Sequence, residues 1–123
     1  MKEIITSVTL DKARCRALRY ASNLNNCTFE GYLYCFARIF NAFSRLGFYC
    51  YLQIEWSPDY SEKLYRILIR YSKGPGKGFI TAMADILDDG NPSYHAQLLT
   101  DEINRMCDEV NRWYLDPKTS PLL

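Results

Sequence analysis

The sequence predicts an α+β domain, four helices around a two- or three-stranded antiparallel sheet in the order α-α-β-β-α-α. Three observations carry that prediction. Apolar residues recur every three to four positions over 28–46 and again after Pro92, the spacing of amphipathic helices. Residues 48–56 and 63–71 instead alternate apolar and polar side chains, the period-two signature of strands. Between those two runs, Ser57-Pro58-Asp59-Tyr60-Ser61-Glu62 supplies turn chemistry, so they form a hairpin.

The first helix is expected from about Leu10 to Asn23 with Thr9 as N-cap. At 100° per residue Leu10, Ala13, Ala17, Leu18, Ala21 and Leu24 share one arc, while Lys12, Arg16 and Arg19 gather opposite. Arg14 falls inside the apolar arc. There its stem packs while its head reaches water or a carboxylate, or else it lines a pocket for an anionic ligand. The second helix, 28–46, is capped by Thr28 and closed by Gly47. Its stripe runs through Phe29, Tyr32, Leu33, Phe36, Ile39, Phe40, Phe43 and Leu46, which makes it the centre of the core. Glu30, Tyr34, Arg38, Asn41 and Arg45 lie on its outer face.

In the hairpin, Phe48, Cys50, Leu52, Ile54 and Trp56 face the core, as do Tyr65, Ile67, Ile69 and Tyr71 on the return strand. A register pairing Trp56 with Tyr65 keeps those faces together and sets Glu55 opposite Arg66 and Tyr51 opposite Arg70. After the glycine-rich loop Ser72–Gly78, the residues Phe79, Ile80, Met83, Ile86 and Leu87 fit a short helix ending at Gly90, with a third strand over 78–83 as the alternative. Asn91-Pro92 opens a long last helix whose stripe is Ala96, Leu99, Ile103, Met106, Val110, Trp113 and Tyr114. Asp101–Arg105 and Asp108–Arg112 are spaced for i,i+4 pairs, and Pro117 ends the helix. An extra strand over 2–7 is a further option. Residues 1–116 therefore read as one domain with a loosely ordered tail over 117–123.

Composition narrows the function classes. A chain of 123 residues, 48% hydrophobic and 24% charged, is ordinary for a soluble domain. The first ten residues contain Glu3 and several hydroxyls, unlike a signal peptide, and no run approaches the roughly 20 apolar residues of a membrane span. The five cysteines (15, 27, 35, 50, 107) are odd in number and widely spaced, which points to reduced thiols and a cytoplasmic location. His95 is the single histidine, so neither a zinc site nor another cofactor is expected. It borders the last helix's stripe, where a packed or capping histidine is the plain expectation. Cys15 is the thiol expected to be exposed.

The net charge of +1 conceals a split. Residues 1–78 carry twelve Lys/Arg against six Asp/Glu, whereas 79–116 carry two against eight. Segregated charge steers partners even when the total is near zero. Candidate contact residues on this ground are Tyr34, Arg38 and Arg45 on the basic side and Asp101 and Asp108 on the acidic side. A third group, Tyr49, Tyr51, Arg66 and Arg70 with Lys73 and Lys77 of the glycine-rich loop, combines rings and cations as single-stranded nucleic acid requires. That loop has Gly78 after Lys77 and the wrong glycine spacing for a nucleotide-hydrolysing phosphate loop. Asp85, Asp88 and Asp89 lack the spacing of a calcium loop.

The expected function is therefore a small non-enzymatic protein acting on another protein, with nucleic-acid binding as the alternative. In size and style the chain is similar to small standalone inhibitors of phages and mobile elements, anti-CRISPR proteins among them, with which it shares no diagnostic motif. No membrane partner is expected. A last helix exposing Tyr94 and Leu98 would serve a homodimer.

Overall fold

A computed structural model describes residues 3–76 and 78–115. The chain forms α1 (Ser7–Ser22), α2 (Tyr32–Ser44), β1 (Tyr49–Trp56), β2 (Lys63–Tyr71), β3 (Ile80–Leu87) and α3 (Pro92–Val110). A 3₁₀ turn over Asn23–Asn26 follows α1, and a π-helical turn over Asn111–Leu115 follows α3. The sheet is antiparallel in the order β1-β2-β3. Helix α2 meets the sheet at β1 and α3 meets it at β3, while α1 packs across both helices. The α+β class is observed with three helices in place of four.

The missing helix is β3. Residues 79–87 satisfy a helical spacing, but Ile80, Ala82, Ala84 and Ile86 also alternate, and in the structure all four are buried against the core. Pairing along the whole of β2 satisfies the backbone that an isolated short helix would leave partly open at its ends.

Helix starts also differ from expectation. Thr6, not Thr9, is the α1 N-cap. Its hydroxyl accepts the Thr9 N–H while the Thr9 hydroxyl accepts the Thr6 N–H, a reciprocal capping box. Helix α2 starts at Tyr32, because Thr28 folds back to take the Gly31 N–H and holds residues 28–31 in a turn. Gly47 closes that helix with φ 90°, a conformation that favours glycine. At α3, Asn91 makes no side-chain cap, and Pro92 occupies the first turn. The described part of the optional first strand, residues 3–6, is irregular, with the Glu3 N–H bonded to the Arg45 carbonyl. Pro117 and the tail lie outside the described residues.

The hairpin strands fall where expected, in a register two residues away. Trp56 pairs with Lys63 and Ile54 with Tyr65. The six-residue loop sets this register. Ser57 donates its N–H to the Glu62 carbonyl and its hydroxyl to Asp59, whose carboxylate also takes the Ser61 N–H and hydroxyl. Those hydroxyl bonds pull the Asp59 carboxyl from its ordinary 3.8 to about 2. A depressed folded value contributes stability above the unfolded one, and that contribution is lost as pH falls through the folded one. Asp59→Asn is therefore expected to lower thermal stability at pH 7, with the difference from the parent closing as pH falls from about 4 to about 2.

The core lies between the sheet and α2/α3. Phe36, Ile39 and Phe43 of α2 are fully buried, as are Ile67, Ile69 and Ile86 of the sheet and Leu99, Ile103 and Met106 of α3. Phe29 stacks on Tyr65 at 4.1 Å, and Phe36 meets Tyr65 edge-on at 5.5 Å. Four residues expected inside are instead exposed, Trp113 in the turn after α3 among them. Leu33 is at the rim of the α2 stripe, and Ile54 and Trp56 lie at the end of edge strand β1.

Candidate functional site: an arginine trough between two helices

Helices α1 and α2 meet on small residues. Ala13, Ala17 and Ala21 recur at every fourth position of α1, and Ala42 lies on the facing side of α2; all four are buried. Small side chains let helices pack closely. Long side chains beside the seam then stand as walls. Lys12, Arg16 and Arg19 rise from α1, and Arg38 and Arg45 from α2. The central hollow between them, about 290 Å³, is lined by Arg16, Arg19, Arg38 and Arg45 with Tyr20 and Asn41. One neighbouring hollow shares Arg16 and Arg45 and reaches Lys12, Thr9 and Glu3. Another shares Arg19 and Tyr20 and reaches Ser22, Asn23 and Asn26. Together they make one continuous trough along α1.

Its electrostatics are set by arginines that lack ion pairs. Elsewhere three arginines are matched by acids, while Lys63, Arg70 and Lys73 meet aromatic rings. Arg14 donates to Asp108 at 2.6 Å and lies 3.5 Å from Asp11. Arg66 bridges Glu55 at 3.1 Å and Asp85 at 2.9 Å. Arg105 is held by Glu102 and Glu109 and donates to the Thr81 carbonyl. In the trough, Lys12, Arg16, Arg19, Arg38 and Arg45 have no carboxylate partner among the described residues. Arg38 donates its Nε–H to the Tyr34 hydroxyl at 3.1 Å, an uncharged partner that leaves its positive charge in place. Tyr34 meets Tyr20 edge-to-face at 6.2 Å. Four like charges around the central hollow repel one another, and an anion entering it relieves that repulsion.

The other sequence-derived candidates are placed as follows. On the open face of the sheet, Tyr49 and Tyr51 are exposed, but Arg66 is neutralised by its two carboxylates. Arg70 sits 4.5 Å from the centre of the Phe79 ring, with its Nε buried and unbonded. Lys73 donates to the Tyr114 carbonyl at 3.4 Å, and Lys77 lies outside the described residues. Arg14, offered as an anion pocket, spends its guanidinium on Asp108 and Asp11. Asp108 thereby leaves its expected i,i+4 position toward Arg112, and Asp101 takes a hydrogen bond from Gln97 instead of reaching Arg105.

His95 is buried and shares a 3.0 Å hydrogen bond between Nδ1 and the Tyr32 hydroxyl. Asp89 Oδ1 approaches Nε2 to 2.9 Å, but off the direction of a hydrogen bond. Burial pushes the Cys50 and Cys107 thiols up to about 12 and the Cys35 thiol to about 11, which keeps them protonated and weakly nucleophilic at neutral pH. Cys15 is exposed on α1. Asp85 is tied to Arg66, and Asp89 accepts the Asn91 N–H. Among the described residues no three His, Cys, Asp or Glu side chains stand close enough to hold a metal. No helix there is long and apolar enough to cross a membrane.

Lys12, Arg16, Arg19, Tyr20 and Asn41 complete the trough and were not singled out as contact residues by sequence. The signal that would have found them is the alanine seam with arginines beside it on both helices. Comparison with protein-family models, curated proteins and solved structures finds no match for this chain.

Proposed function

We propose that this is a non-enzymatic binding protein that captures a negatively charged partner in the α1–α2 trough. One observation carries the reading. Four arginines and a lysine from two helices converge there without an ion pair, with Glu3 at one end as the one acid in the lining, while Arg14, Arg66 and Arg105 are each matched by acids. Retaining uncompensated like charge at one site costs folding stability, and such a cost is typical of a functional surface.

The test is retention on a phosphate-bearing polyanion resin. The Arg38→Glu/Arg45→Glu variant should elute at much lower salt than the parent protein. A charge-matched control, Lys63→Glu/Lys73→Glu, should elute close to the parent. Equal loss in both variants would mean that net charge, not the trough, governs retention.

A second reading, docking of a partner protein on the sheet, is favoured by a different observation. The β3 edge is guarded, since Glu102 accepts the Met83 N–H and Arg105 donates to the Thr81 carbonyl. The β1 edge has no comparable cover among the described residues and exposes Tyr49, Tyr51, Ile54 and Trp56. An open edge with exposed rings suits an extended segment of another protein.

A further inference from the structure

We infer that the trough binds single-stranded nucleic acid, with its arginines on phosphates and Tyr34 and Tyr20 against bases. The inference rests on the trough being the partner surface. Width is the first argument. Helices packed at about 8–10 Å leave a furrow that seats one backbone strand. Length agrees. Lys12 to Arg19 and Arg38 to Arg45 each span seven residues, about 10 Å at 1.5 Å per residue, so the two walls match. That length spans about three nucleotides of a stacked strand at 3.4 Å each.

Lining chemistry is the second argument. The apolar lining is confined to Ala13, Ala42 and Leu46, with no deep site for a large apolar anchor, which a protein partner would use for most of its affinity. Polar, strongly positive contact surfaces are instead typical of nucleic-acid interfaces. Four of the five cations are arginine, whose planar fork fits phosphate oxygens. The third argument is the ring pair. Tyr34 is 55% exposed beside Arg38, and Tyr20 stands edge-on to it. Rings bordering a cationic groove give unstacked bases a platform, whereas a duplex keeps its bases stacked away from them. Ser22, Asn23 and Asn26 continue the trough with hydrogen-bonding groups beyond the rings.

Fluorescence anisotropy with the full chain tests this. The probes are a labelled 12-nucleotide mixed-sequence DNA strand, its duplex, and an oligoglutamate peptide of matching charge. The single strand is expected to bind tightest. With four arginines on phosphates, log K should fall against log salt with a slope of about −3, about 50-fold between 50 and 200 mM. Arg16→Ala/Arg19→Ala should halve that slope. Tyr34→Ala should weaken binding at least about fivefold, and Tyr34→Phe should restore it. All these side chains are exposed or half-buried, and an unchanged melting curve verifies that each variant is folded. Duplex binding as tight as the single strand overturns the inference. Preference for oligoglutamate with the same arginine dependence also overturns it but keeps the trough as the partner surface. Binding to none of the probes overturns both.

Discussion

Reversing Arg38 and Arg45 to glutamate is expected to weaken polyanion binding by about 10²–10³-fold while leaving the melting temperature within about 3 °C of the parent. The two side chains lie one above the other on α2, seven residues apart, and both face Arg16 across the trough. Reversal removes two favourable contacts and adds two repulsive ones. Like charges across an interface cost several kcal/mol, and about 3–4 kcal/mol corresponds to the stated factor. Stability should barely change, because both residues are exposed and surface substitutions usually stay within about 0.5 kcal/mol. The direction is informative too. Five cations without a counter-ion repel one another, so two glutamates placed among Lys12, Arg16 and Arg19 should leave the fold unchanged or slightly firmer. A large drop in melting temperature would mean that the two arginines hold the fold, not a partner.

Phe43→Ala is expected to have the largest effect on stability, about 3–5 kcal/mol. Phe43 is fully buried at the end of α2, where its ring lies 5.1 Å from that of Phe48. Phe48 in turn packs 4.9 Å from Tyr71 at the end of β2. Removing the first ring leaves a cavity where helix, loop and sheet meet, and neither neighbour can fill it without leaving its own contacts. For a domain of this size the loss corresponds to a melting-temperature drop of about 10–25 °C. Leu33→Ala, on the same helix but at its exposed rim, should cost under about 1 kcal/mol. Equal effects at the two sites would contradict the placement of the core.

Much of this was legible in the sequence, for reasons that also explain the gaps. The α2 and α3 stripes and both hairpin strands follow from periodicity alone, because burial of one face enforces it. The hairpin register was not legible, since a shift of two residues keeps every side chain on its face. The arbiter is the hydrogen bonding of Ser57, Asp59 and Ser61, which depends on loop conformation. Strand β3 was concealed by Ala82 and Ala84. Alanine favours helices intrinsically, but here it provides the shallow surface that faces α3. Tertiary packing decided that case.

The charge split was visible too, but its meaning changed in space. Asp85 and Asp108, from the acidic half, reach across to neutralise Arg66 and Arg14 of the basic half. What remains of the basic surplus includes the trough, formed by two helix faces that the sequence shows separately. Their meeting depends on the alanine seam, a packing relation between residues about 30 positions apart. The aromatic and basic hairpin face was the nucleic-acid surface the sequence offered, and in the structure its Arg66 is neutralised by Glu55 and Asp85 while Arg70 lies against the Phe79 ring.

The most direct test of the central claim is backbone amide chemical-shift mapping during titration with the 12-nucleotide strand. The account predicts shifts concentrated on α1 and the 3₁₀ turn, from Thr9 to Asn26, and on α2 and the turn after it, from Tyr34 to Leu46, with the sheet silent. Shifts concentrated on Tyr49–Trp56 and Arg66–Lys73 would contradict it and return the partner surface to the hairpin.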